Sequence, residues 1–332
     1  MITVEREARQ TSNLIKLFTI LLSPLILCFN FSASAETAQE NSVEKYNITI
    51  IYSAENKQQN RIAEALSKTL QNTYEDIVIS KISTGKDPIS FTKQPDLSIF
   101  IGSSAIQHKD NISYKAKRLF IATDPVTFKG SHYKNKSNAV IYMTQSYCKQ
   151  VSFIKSLNDK WKTVSVLSSQ EKPIDSDLLL QCASKHDLNI HQVNITNTGK
   201  LRSYIKDALT HSDVLLALPD KNIYNRKTVK NILLTSYRHR KPVIAFSKTF
   251  TISGALASIH SNAEQIALSA NILVKNYFKN GQEFIHSASH PDAFDISINK
   301  QVFRALEIPI PDINELELRI EDMESENSGN NQ

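Results

Sequence analysis

The chain has 332 residues, a formal net charge of +6, seven glycines and three cysteines. That length exceeds one ordinary domain and suits two, and the basic residues are spread without an arginine-rich run or a nucleic-acid module, so a nucleic-acid partner is not expected. So few glycines leave little room for phosphate cradles.

The first thirty-five residues are set apart from the fold. Arg6, Arg9 and Lys16 form a basic start, Leu17 to Phe29 an apolar run broken by Ser23 and Pro24, and Ala33-Ser34-Ala35 a small-x-small cleavage site. This reads as a signal peptide cut after about Ala35, with a retained anchor as the alternative, and it places the mature chain in the periplasm. Leu27 before Cys28 argues against lipidation. Cys148 and Cys182 remain, and the sequence leaves open whether they form a disulfide or stay as buried thiols.

From residue 46 the chain alternates short β-branched runs with amphipathic stretches. Strands are expected at 46–52, 76–82, 97–101, 119–123 and 139–142, with a helix over 58–71. The pattern restarts after about 145. Helices at 150–157, 175–186, 201–210 and 227–238 alternate with strands at 163–167, 188–193, 214–218 and 243–246. A strand near 256–260, a helix over 263–278, a strand at 294–298 and a helix at 300–306 follow. These last pieces are too few for a third core, so they return to complete the first two. The expected fold is α/β: two Rossmann-like lobes with parallel sheets, joined by a hinge of several strands. Lobe 1 would take 36–145 and about 250–280, and lobe 2 would take 146–249 and about 292–312. Residues 313–332 would form an acidic and polar, disordered tail.

In open α/β sheets ligands bind beyond the carboxyl ends of the strands. The loops at those ends are Ser53-Ala54-Glu55-Asn56, Gly102-Ser103-Ser104 and Thr123-Asp124 in the first half. Ser168-Ser169, Pro219-Asp220 and Ser247 hold equivalent places in the second. Each hydroxyl alone is an ordinary helix cap; their recurrence along one edge of both halves points to a binding cleft. If Asp124 and Asp220 both face that cleft, the ligand carries an amine or several hydroxyls, because two unpaired buried carboxylates would be costly. No GxSxG, GxGxxG, P-loop or HExxH motif occurs. His286, His290 and Asp292 stand among loop formers, and Arg238 and Arg240 suit a helix end, so neither group is expected to bind a metal or do chemistry. No cofactor is expected.

Residues 213–278 run SDVLLALPDKNIYNRKTVKNILLTSYRHRKPVIAFSKTFTISGALASIHSNAEQIALSANILVKNYF. With FDISINKQVFRALEI at 294–308, this segment resembles the ABC-transporter substrate-binding proteins of the tryptophan/tyrosine type. The resemblance implies a type I periplasmic binding fold that closes like a Venus flytrap on a small polar ligand, an amino acid among the candidates. It implies an ABC permease as partner, a monomer and no enzymatic activity. Carried over by position it adds Ser253 and Gly254 to the cleft loops. The rival readings are the input module of a membrane sensor, an interaction scaffold, and a hydrolase using Ser103 or Ser168.

Overall fold

The structure is a computed structural model that describes residues 45–85, 94–111, 116–124, 137–285 and 288–329. The expected signal peptide, Cys28 and His286 lie outside these residues. Among the described residues no helix is long and apolar enough to cross a membrane.

Two six-stranded sheets form the body. The first holds β1 (Tyr46–Tyr52), β2 (Ile77–Ser83), β3 (Leu97–Ile101), β4 (Lys117–Thr123) and β5 (Asn138–Tyr142), joined at its edge by β11 (Ala288–Ser289). The second holds β6 (Thr163–Ser169), β7 (Asn189–Ile195), β8 (Val214–Leu216), β9 (Val243–Ala245), β10 (Ala257–His260) and β12 (Asp295–Ile298). Their orders are β2-β1-β3-β4-β5-β11 and β7-β6-β8-β9-β10-β12, so each half of the chain lays down its five strands in the same arrangement. Every pairing is parallel except β10 with β12. Parallel strands need crossovers, and the crossovers cover both faces with helices, which is why β3 reads LSIFI and is buried at every position.

In the first lobe α1 (Lys57–Thr73) buries Ile62, Ala63, Leu66 and Leu70 on one face of the sheet. On the other face Phe100 and Phe120 stack 5.1 Å apart beneath α2 (Gly102–Ile106). In the second lobe α3 (Tyr147–Leu157) and α4 (Ser176–Ser184) cover one face, and a Cys148–Cys182 disulfide joins them. The opposite face carries α5 (Leu201–Thr210), α6 (Val229–Arg238) and α7 (Lys248–Ile252).

The distribution of the last third differs from the sequence reading in two places. The segment from about 250 was expected in the first lobe, but α7 and β10 stay in the second. β10 hydrogen-bonds beside β9, and the chain crosses only at Ser261. Then α8 (Ala263–Lys279) packs Ile266, Ala270, Val274 and Tyr277 into the first lobe's core. The second difference is at the C-terminus. Residues 313–329 are helix α10 and not a disordered tail. Leu316 and Ile320 are fully buried in the second lobe's core, Met323 Sδ lies 3.7 Å from Ser156 Oγ, and Lys149 pairs with Glu324 at 3.2 Å. An apolar stripe of Ile313, Leu316, Ile320 and Met323 at helical spacing runs through the acidic composition. Helix α9 (Lys300–Ala305) adds Phe303 to the same core.

Among the described residues the chain crosses between the lobes at three places, near Gln145, Ser261 and Ala293. The Gln145 side chain ties all three. Its Nε2 donates to Ser261 Oγ (2.6 Å) and to the Ala293 carbonyl (3.4 Å), and Ser261 Oγ donates to the same carbonyl at 2.9 Å. Asp295 then accepts from Asn262 Nδ2 and Gln265 Nε2, holding the third crossing against the start of α8.

Candidate functional site: the facing strand ends

The carboxyl edges of the two sheets meet. Asp124, directly after β4, pairs with Lys172, which follows β6, at 3.1 Å, and both side chains are about four-fifths buried (17% and 23% exposed). Tyr142 at the end of β5 stands beside this pair. Burial first, and the Asp124 carboxylate second, hold its hydroxyl above the usual tyrosine range, so it stays a proton donor. Tyr147, at the start of α3, is raised by the same kind of burial, opposed in part by a hydrogen bond from the Asp175 backbone. His290 closes the group. Its ring lies 4.9 Å from that of Tyr142 and its Nδ1–H donates to the Thr144 carbonyl at 2.6 Å.

The first lobe brings its expected residues together at this edge. Asn56 caps α1 through Gln58 and Gln59 N–H, as an Asn-x-x-Gln start leads one to expect. The Gln59 side chain, however, does not return to the cap. Its Oε1 accepts from Ser53 N–H (2.9 Å) and Ser104 Oγ (3.2 Å), bridging the loops after β1 and β3. It lies over Gly102, whose φ is +76° and where a Cβ would fall 2.2 Å from Gln59 Nε2. Glycine there is favoured by conformation, and a Cβ would also push the Gln59 side chain out of its bridge. Ala54 N–H donates to Ser83 Oγ, and Ser103 is exposed.

β4 ends in strained backbone. Ala122 adopts φ +54°, and the β4–β5 register shifts between Ile121 and Thr123. A side chain in the left-handed region costs about 1–2 kcal/mol, and bulges of this kind redirect side chains at functional edges. The next residue, Thr123, is 2% exposed and its Oγ1 has no hydrogen-bond partner.

The second lobe spends its expected residues internally. Ser168 Oγ donates to Asn194 Oδ1 (2.6 Å) on the neighbouring strand. Asp220 is 4% exposed, but its carboxylate accepts Ser169 N–H (3.0 Å) and Asn222 N–H (2.9 Å), and Pro219 is half-buried beside it. The condition set for the two aspartates, that both face the cleft unpaired, is not met: Asp220 folds the loop after β8, and Asp124 is paired with Lys172. Ser247 caps α7 through Phe250 N–H. Near it Tyr224, Phe246 and Phe250 form an aromatic cluster with ring centroids 5.6–6.1 Å apart. Burial drives the Tyr224 hydroxyl far upward, and it too lacks a partner. Ser253 and Gly254 fall elsewhere. Helix α7 runs back from the end of β9, so they sit at the start of β10, the opposite edge of the sheet.

Gln59, Tyr142, Tyr147, Lys172 and His290 were not singled out as cleft residues from the sequence. Gln59 carries a capping-box signal that concealed its other use, and Lys172 is one lysine among many. The Tyr224–Phe246 pairing needs the fold.

A sequence profile of the ABC transporter substrate-binding protein family matches residues 91–316. The chain belongs to that family. No sequence among curated proteins matches it. Its structure is similar to a substrate-binding protein with adhesive properties from Clostridium difficile, seen ligand-free and open, at 20% identity and TM-score 0.61 over 80% of this chain and 96% of that one. It is also similar to a Streptococcus pneumonia ABC domain in complex with L-Trp, at 15% identity and TM-score 0.56 over 81% and 96%. A conserved domain protein from Vibrio cholerae matches at 16% identity and TM-score 0.56 over 83% and 98%. These establish the two-lobed type I periplasmic binding fold. Members of the family bind a solute for an ABC transporter and work in the periplasm or outside the cell.

Proposed function

We propose that the chain captures a small polar ligand, with an amino acid as the leading candidate, between its lobes and delivers it to an ABC importer. The Asp124–Lys172 pair carries this reading. It joins the two edges at the point where a captured ligand would lie. A zwitterion could replace it charge for charge, its ammonium taking the place of Lys172 at Asp124 and its carboxylate that of Asp124 at Lys172. Such an exchange leaves neither residue as an unpaired buried ion, which would cost several kcal/mol. The protonated Tyr142 hydroxyl and the unused Thr123 Oγ1 add polar contacts on the same side. The L-Trp complex of the streptococcal relative is in keeping with an amino-acid ligand.

The test is a thermal-shift panel of amino acids, short peptides, sugars, nucleosides and polyamines. A ligand of the folded state raises Tm by mass action. The proposal predicts a saturable rise with one class of amino acid, abolished by Asp124→Asn. A rise confined to sugars or nucleosides and insensitive to Asp124→Asn would overturn it.

A further inference from the structure

A second cluster of donors lies on the outer flank of the second lobe, away from the facing strand ends. His191 stands on β7, the edge strand of its sheet, on the same face as Val193 and Ile195, which pack against α5. Asp207 projects from α5, and His211 closes that helix one turn later. His191 Nε2 lies 3.5 Å from one Asp207 carboxylate oxygen, and His211 Nδ1 lies 3.1 Å from the other. The two imidazole rings are 5.0 Å apart. One donor atom from each of the three residues lies within 4.8 Å of the others.

The protein's own contacts leave this group underused. His191 Nε2 is shielded from solvent yet makes no hydrogen bond, although Asp207 is close by. The His211 ring is steadied by Nδ1–H, which donates to the Asp207 carbonyl at 2.9 Å. Two imidazoles and a carboxylate converging from a strand and a helix are a transition-metal donor set. Zinc holds imidazole nitrogen and carboxylate oxygen at about 2.0–2.2 Å, which in a tetrahedron separates the donors by about 3.4 Å. The 3.5 Å spacing of His191 Nε2 from the Asp207 carboxylate already approaches that value, and His211, with its Nδ1–H engaged, offers Nε2 as its donor. Asp207 and His211 are about half exposed, so an ion has an entry path and water can fill the remaining position.

We propose that His191, Asp207 and His211 form a divalent transition-metal site, of the zinc and copper class, that clips edge strand β7 to α5. The site is independent of the ligand captured between the lobes.

Calorimetric titration of the purified, untagged chain with ZnCl2 tests it. One Zn2+ should bind per chain, and His191→Ala, His211→Ala and Asp207→Asn should each weaken binding at least tenfold. His239→Ala, elsewhere on the same lobe, should leave it unchanged. Thermal melts of each variant without metal separate a lost ligand from a lost fold. Bound Cu2+ should show two nitrogen donors in its paramagnetic resonance spectrum. Absent saturable Zn2+ binding, or equal binding by the wild type and the His191→Ala/His211→Ala variant, overturns the proposal.

Discussion

At the meeting edges the two lobes present the same residue types, small hydroxyls and one aspartate each, Asp124 and Asp220, and use them differently. In the second lobe Ser168 is bonded to Asn194, the Asp220 carboxylate accepts from Ser169 and Asn222 N–H, and Ser247 caps a helix. In the first lobe Thr123 keeps a buried, unpartnered hydroxyl behind a strained Ala122, and Asp124 reaches across to Lys172. A buried polar atom without a partner costs about 1–3 kcal/mol, which a fold tolerates where a ligand will supply the bond. On the proposed function, a polar strand end serves the ligand only where its own lobe leaves it unspent.

The comparison breaks most visibly at Asp220. Asp220→Ala leaves two backbone N–H groups at a buried loop without their acceptor and should cost about 2 kcal/mol of stability in urea unfolding. Asp124→Asn, whose amide oxygen still accepts a hydrogen bond from Lys172, should cost less, about 1 kcal/mol. Equal losses would show that both aspartates are structural.

A smaller effect concerns the hinge side of the first lobe. Burial holds the His290 imidazole below its ordinary value of 6.5; the Thr144 bond opposes that shift and Lys149 reinforces it. The unfolded chain therefore takes up this proton at a higher pH than the folded one. The contribution of neutral His290 is complete above about pH 6.5 and is lost as pH falls through the folded-state value. His290→Asn should flatten the decline in Tm between pH 7 and 5, and an unaltered slope would remove His290 from that account.

The elements were largely legible in the sequence because periodicity is a local property. The strands at 46–52 and 97–101 and the helix at 201–210 fall where their patterns place them. The C-terminal helix was not, since a few apolar residues among many carboxylates look like a solvated tail until a core exists for Leu316 and Ile320 to enter. Site residues were less legible. The position of Thr123 and Asp124 could be read from strand order, whereas Lys172 is defined only by a contact between lobes. Ser253 and Gly254 were assigned by position in a motif, and the direction of α7 carries them to the wrong edge.

The most direct measurement is calorimetry of the ligand that the thermal-shift panel selects, titrated into the wild type, Thr123→Val, Asp124→Asn and Ser168→Ala. Unequal use of the two edges predicts that Thr123→Val and Asp124→Asn each weaken binding at least tenfold, while Ser168→Ala changes it less than about twofold, given that each 1.4 kcal/mol is tenfold in Kd. Loss of binding in Ser168→Ala with Asp124→Asn unaffected would contradict the account.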